Sequence, residues 1–423
     1  MTEKIPFAHP YIGREEEEAV LRVLRSGWLT TGKESLAFEE EFGNFLKKGN
    51  IVKSDEGPFC MAVNSATSGL HLALEAAGIK EGDLVLLPSM TFTATAEVVR
   101  YLGAEVVFVD VIKDGFHMDP LALERTLERL SSGLCAYNNG NEGEGFGPKG
   151  NAKAIMPVHY GGLVREMEAI LALSKKYKLK VIEDAAHSFP SFLPDKNKKE
   201  SGHWAGDIGD AGVFSFYATK TISTGEGGMV ITRNREIAER VKIMRSHGID
   251  RSIWSRYTDN KASWYYEVLE PGFKYNIPDI LSAIGRVQLE RADDLLSMRQ
   301  TIASAYDDAF SNDEHFSIPP TGDGDARHLY PLLLNLNKLT VSRNEFAAMI
   351  QEEGIGVSVH YIPLHIQPYY KKRYSLNEMD FEQTFKTYNR CLSLPIWPGM
   401  KEGQIEKIIR VVKNLAIKYN KNL

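Results

Sequence analysis

Lys220 sits in an unusual place for a lysine. The stretch FSFYATKTISTGEGGMVI, from Phe214 to Ile231, sets it between an apolar strand and a glycine-rich turn. An amine held at the mouth of a buried site can form an imine with an aldehyde, whereas a solvated one is only a surface charge. Two other stretches carry matching chemistry. VIEDAAH ends an apolar run on Asp184, and FCMAVNSATSG ends another on Ser65, Ala66 and Thr67, just before an apolar helix. A helix N-terminus offers N–H groups and the positive end of its dipole to a phosphate, and Ser215 adds a hydroxyl. An acid for a cationic ring nitrogen, a cradle for a phosphate and an amine for an aldehyde answer to the three handles of pyridoxal 5'-phosphate.

Each residue has a plainer reading. An Asp after a strand commonly caps a turn, Ser-Ala-Thr before a helix is commonly only an N-cap, and a lysine near glycines is commonly solvated. Their conjunction favours the cofactor, because all three follow apolar runs, and ligands of parallel α/β sheets sit beyond the carboxyl ends of strands.

The elements that would position these groups are visible in the pattern. Short apolar runs at Cys60 to Val63, Leu84 to Leu87, Val106 to Val109, Ala154 to Val158, Val181 to Glu183, Val213 to Phe216 and Met229 to Thr232 predict seven strands. They alternate with amphipathic helices, which is the sequence form of a mainly parallel sheet. SATSGLHLALEAAG is the clearest helix, with Ser65 as cap and Gly78 as stop. Arg14 to Arg25 and Ser35 to Lys47 predict helices on either side of the turn SGWLTTG. A long helix over Asp279 to Phe310 leads to a second unit, with strands at Leu329 to Leu334 and Gly356 to His360 and helices at Arg343 to Glu353 and Glu402 to Tyr419. The expected organisation is a large domain over 1–290 and a smaller C-terminal α+β domain over 291–423. The segment Tyr137 to Asn151, YNNGNEGEGFGPKGN, predicts a mobile surface insertion. Its literal GxGxxG at Gly145, Gly147 and Gly150 lacks a preceding strand and a following helix, so it is not a dinucleotide fingerprint.

Composition narrows the function. The chain has 423 residues, 43% of them hydrophobic, and a formal net charge of -6. That suffices for a large core and leaves no electrostatic footprint for nucleic acid or an acidic membrane. Three dispersed cysteines, Cys60, Cys135 and Cys391, suggest neither a disulfide framework nor a metal site. With no signal-like or membrane-spanning apolar run, the expected location is the cytoplasm.

Read in order, IPFAHPYIGREEEEAV with SGWLTTG, NSATSGLHLAL, LPSMTFTATAEVV, VIEDAAHS, FSFYATKTISTGEGG, MRSHGI, GFKYNIPDILSAIGRVQL and HYIPLHIQPYY resemble the nucleotide-sugar aminotransferases of the DegT/StrS type over nearly the whole chain. The resemblance implies a fold-type-I pyridoxal-phosphate enzyme. It makes Lys220 the Schiff-base lysine, Asp184 the partner of the pyridine nitrogen, His187 a contact to the ring or its phenolic oxygen, and Phe92 the stacking aromatic. Ala66, Thr67 and Ser215 would hold the phosphate, with Asn276 reaching in from a neighbouring subunit of a homodimer with shared active sites. Trp28, Thr30 and Tyr361 would line the sugar-nucleotide cleft. His360 and His365 make a poor zinc pair, so no metal is expected, and they are read as sugar or phosphate contacts, with ordinary structural histidines as the alternative. The implied reaction is ping-pong: L-glutamate leaves its amino group as pyridoxamine 5'-phosphate, which then aminates a nucleotide-linked keto sugar. A dehydratase on the same scaffold would carry histidine in place of Lys220, and a non-catalytic sensor would leave the cofactor constellation unexplained. The glycine-rich insertion and the stretch SRYTDNKASWYYEVL are less typical of that family.

Overall fold

The structure, a computed structural model, describes residues 4–48, 57–138, 143–195, 201–250 and 265–421. The expected α/β architecture is present. Strands β1 (Phe59–Val63), β2 (Leu84–Pro88), β3 (Glu105–Val109), β4 (Ala152–Ile155), β5 (Lys180–Asp184), β8 (Ala211–Ser215) and β9 (Gly228–Thr232) form one seven-stranded sheet, ordered β1-β9-β8-β5-β4-β2-β3. Between β5 and β8 a small antiparallel hairpin, β6 (Phe192–Pro194) and β7 (Gly202–Trp204), stands apart as its own sheet. β9 alone runs against the others, pairing antiparallel with both β1 and β8. The strands are apolar on both faces, as a sheet covered by helices on two sides requires.

One face carries the helix Ala66–Ala76, packed over β5, β8 and β9. Its close approach depends on Gly228, where an added Cβ would lie 2.8 Å from the Ala66 nitrogen. Beside β1 lies the helix Lys33–Lys47, whose Phe38, Phe42 and Phe45 are buried in an aromatic cluster with Phe189, Phe214 and Phe216. The start of this helix is capped from far along the chain: Asp279 accepts from the N–H groups of Gly32, Glu34 and Ser35 and from the Ser35 hydroxyl.

The predicted helix over 279–310 breaks at Arg291 into Asp279–Glu290 and Ala292–Phe310. The break lets Leu289, Ala292 and Leu295 stay on the large core while Ile302, Tyr306 and Phe310 enter a second one. That second core is built on an antiparallel sheet of β10 (Phe316–Ser317), β11 (Tyr330–Leu334) and β12 (Cys391–Leu394), covered by Arg343–Glu352 and Glu402–Lys418. The two cores exchange chain: Ile5 belongs to the smaller, and Leu364, Tyr370, Tyr374 and Phe381 to the larger.

Two sequence expectations are corrected. Gly356 to His360 is not a strand, because only single bridges form there, Ile5 with Ile355 and Ser358 with Ser393. The N-terminal segment crosses at Gly356, where a Cβ would lie 2.6 Å from the Phe7 nitrogen. The glycine-rich segment is anchored rather than wholly superficial: Tyr137 bridges Phe146, is 9% exposed, and its hydroxyl accepts from the Phe108 N–H at 2.6 Å. Most of SRYTDNKASWYYEVL lies outside the described residues. Among the described residues no helix is long and apolar enough to cross a membrane.

Candidate active site

Asp184 ends β5 and Ser215 ends β8, and Ser65 and Phe92 lie just beyond the ends of β1 and β2, so one edge of the sheet collects the predicted groups. A cavity of about 550 Å³ opens along this edge. Ala66, Thr67, Phe92, Asp184, His187, Ser215, Lys220, His360 and Tyr361 all border it.

The Asp184 carboxylate is buried, with Oδ2 accepting from the Thr95 hydroxyl at 2.7 Å and Oδ1 from the Ala186 N–H at 3.1 Å. Thr95 has one proton and gives it to Asp184, so at the 2.7 Å contact between them the Thr91 hydroxyl is the donor to Thr95. Burial pushes the carboxyl above its ordinary pKa, opposed by the Thr95 and Ala186 hydrogen bonds and by the charge on Lys220. Directly before it, Glu183 is fully buried and accepts from the N–H groups of Gly206, Ile208 and Gly209 and meets His159 Nε2 at 2.7 Å. This network pins the end of β5 to its neighbours.

Lys220 lies in the turn after β8, tied back by its N–H to the Tyr217 carbonyl. Burial pushes its amine down to about 8, with Asp184 opposing and Arg299 reinforcing the shift. A substantial neutral fraction near physiological pH is what a nucleophile and proton carrier needs. The start of the helix Ala66–Ala76 faces the same cavity, its Ser65 cap accepting from the Ser68 N–H and donating to the Ser68 hydroxyl.

His187 is held as one tautomer. Its Nδ1 accepts from the Gly161 N–H at 3.3 Å, and burial, with the charges of Lys220 and His360, pushes its pKa well below the ordinary value. The neutral ring therefore carries its proton on Nε2, which faces the Tyr361 hydroxyl at 2.8 Å. His360, pushed down to about 4 chiefly by burial, bonds Ser393 through Nδ1 and lies against Phe7 with ring centroids 5.3 Å apart.

Four predicted residues lie off the cavity. Trp28 and Thr30 sit in the turn before the helix Lys33–Lys47, next to Asn276, whose Nδ2 donates to the Thr31 hydroxyl at 2.6 Å. The Asn276 Oδ1 is buried and has no hydrogen-bond partner among the described residues. His365 is a correction: it is fully buried, with Nδ1 on the Ser89 hydroxyl at 2.6 Å and Nε2 on the Glu378 carbonyl at 3.1 Å. Both nitrogens are used, so it holds the chain and does not touch the cavity.

Sequence reasoning missed Thr91 and Thr95, whose i, i+4 spacing at the head of a helix was a usable signal, and His328, Glu226, Phe7 and Arg299, which only tertiary packing brings near.

The arrangement fits pyridoxal 5'-phosphate. A buried carboxylate in an ion pair with no described residue, an open helix start beside Ser215 and an enclosed amine are complementary to its ring nitrogen, phosphate and aldehyde. A family model described as the DegT/DnrJ/EryC1/StrS aminotransferase family matches residues 10–413. The chain belongs to that family. This aminotransferase is 38% identical over 415 residues to the spore coat polysaccharide biosynthesis protein SpsC of Bacillus subtilis, covering 97% of each chain. It is similar in fold to Helicobacter pylori PseC, an aminotransferase involved in the biosynthesis of pseudoaminic acid, with TM-score 0.81, 29% identity, and 99% and 100% of the two chains covered. It is also similar to the putative sugar aminotransferase Spr1654 of Streptococcus pneumoniae, solved in PLP and PMP forms, with TM-score 0.81, 26% identity, and 98% and 99% covered.

Proposed function

We propose that the aminotransferase moves an amino group from L-glutamate to a nucleotide-linked keto sugar, with pyridoxal 5'-phosphate in the cavity. The observation that carries this reading is the enclosure of the Lys220 amine, the Asp184 carboxylate and the open helix start around one cavity. When bound, the cofactor supplies an electron sink for charge developing on the carbon next to nitrogen. The residues supply the rest. Asp184, held by Thr95, keeps a proton on the ring nitrogen by ion pairing. The Ala66 and Thr67 N–H groups and the Ser215 hydroxyl take the phosphate, and Phe92 covers a ring face.

Lys220 Nζ would hold the cofactor's aldehyde and, once freed by the donor's amine, would serve as the base that takes the proton from the donor's Cα. In the second half-reaction it carries a proton in the reverse sense, after the keto acid has left. His360, Tyr361 and His187 border the space open to substrate. Trp28, Thr30 and Asn276 lie together off this cavity, which supports a homodimer in which they complete the neighbour's site. We read the sugar as a 4-keto-6-deoxy one, on overall likeness, acting in amino-sugar or surface-polysaccharide biosynthesis in the cytoplasm. The two hydrophobic cores support a larger and a smaller unit, which we read as a cofactor domain over 1–290 and a smaller domain over 291–423, with Ile5 and the segment around Leu364 and Phe381 crossing between them.

Borohydride reduction followed by peptide mapping tests the anchor: the pyridoxyl label belongs on Lys220, and a label elsewhere, or none, removes the basis of the reading. Products from glutamate and a panel of UDP-, dTDP- and GDP-linked keto sugars, read by mass spectrometry, then identify the acceptor; a panel that yields no aminated sugar counts against a sugar substrate.

A further inference from the structure

Arg299, on the helix Ala292–Phe310, is 1% exposed, among the most buried large side chains of the protein. A guanidinium in that position ordinarily has a carboxylate beside it. Here it forms an ion pair with no described residue and donates to three carbonyls: Ile396 at 2.9 Å, His328 at 3.1 Å and Thr219 at 3.3 Å. Its Nε has no hydrogen-bond partner among the described residues. Thr219, His328 and Ile396 all border the cavity, and Thr219 immediately precedes Lys220. One buried cation thus ties together three wall segments from distant parts of the chain, one of them through the residue next to Lys220.

We propose that Arg299 is a positioning residue of the amine site: it fixes the Thr219–Lys220 segment against the His328 and Ile396 segments, and its unneutralised charge adds to burial in favouring the neutral, nucleophilic form of Lys220. This deepens the assignment of Lys220 and rests on it. The other groups facing Lys220 do not supply that charge. Asp184, at the end of β5, acts in the opposite direction. His187, His328 and His360 are all pushed below their ordinary pKa by burial and are neutral at physiological pH. Burial lowers Arg299 itself only to about 9, so it keeps its charge at neutral pH. A cation in a poorly screened interior disfavours a second one nearby.

The test reads Lys220 without turnover. The cofactor-free full-length chain is mixed with pyridoxal 5'-phosphate from about pH 6 to about pH 10, and the visible absorbance gained as Nζ adds to the aldehyde, with loss of water, is followed in time. In the wild type the rate rises with pH to a midpoint near about 8. Arg299→Met removes the charge at similar volume. Its midpoint is expected to rise by about one pH unit, slowing the reaction about tenfold at pH 7 and hardly at all at the alkaline end. Arg299→Lys restores the midpoint but leaves a slower plateau, because an ammonium cannot span three carbonyls. If Arg299→Met does not fold, as judged by thermal melting, Arg299→Gln carries the same comparison. An unchanged midpoint in the uncharged variant, with borohydride label still on Lys220, overturns the proposal; label on another side chain overturns the assignment of Lys220 instead.

Discussion

His187 Nε2 and the Tyr361 hydroxyl lie 2.8 Å apart, and the direction of that hydrogen bond is fixed. The Gly161 N–H occupies Nδ1, so the ring donates to Tyr361, and the Tyr361 proton is left to point at the cavity. Burial keeps the phenol protonated, its pKa raised above the ordinary value. Tyr361 is therefore presented to whatever binds there as a neutral hydrogen-bond donor. Tyr361→Phe is expected to weaken binding of the molecule that accepts this bond by about 0.5–1.5 kcal/mol, or roughly 2- to 12-fold. Spectroscopic titration of pyridoxal phosphate against KM for each substrate shows which molecule that is. Unchanged affinities throughout would mean that the proton meets no ligand.

Thr95 sets the charge on Asp184. Its hydrogen bond lowers a carboxyl that burial has raised, so Thr95→Val moves that pKa further up. A protonated Asp184 cannot pair with a cationic ring. Cofactor affinity in the cofactor-free chain should therefore fall as pH drops through the Asp184 pKa, and in Thr95→Val the fall should begin at higher pH. A loss of about threefold to tenfold below that pKa, shrinking toward alkaline pH, is the expected pattern. A pH-independent loss would point to packing instead.

Asp279 caps a helix that local sequence leaves uncapped. Asp279→Ala strips an acceptor from three N–H groups and the Ser35 hydroxyl at once. A loss of about 2–3 kcal/mol in unfolding free energy is expected, more than a typical cap, because these donors lie in a covered site. Urea titration measures it. The variant should also disturb the turn holding Trp28 and Thr30, since the lost carboxylate accepts from the Gly32 N–H two residues after Thr30.

His365 gives the opposite signature. His365→Leu keeps the backbone N–H that donates to Ser89 but removes the ring partner of the Ser89 hydroxyl proton and of the Glu378 carbonyl, and should cost about 1–3 kcal/mol of stability. At a temperature where the variant is folded, KM for both substrates should match the wild type. A selective rise in KM for the sugar would restore His365 to the binding site.

The sequence by itself determined the seven strands of the main sheet, the helix behind Ser65 and the residues at the strand ends. Those signals are local: apolar runs of strand length, a cap and a stop, and polar groups where each run finishes. Apolar spacing could not show that the helix over 279–310 turns at Arg291, since Leu289 and Tyr306 look alike as apolar residues until two separate cores claim them. Nor could it separate His360 from His365. The two stand five positions apart in one motif, yet one borders the cavity and the other is spent on Ser89 and Glu378. Tertiary structure alone decided which side chains are desolvated and which charges lack partners. That is why the lowered pKa of Lys220, the tautomer of His187 and the buried guanidinium of Arg299 became visible only once distant segments were packed against one another.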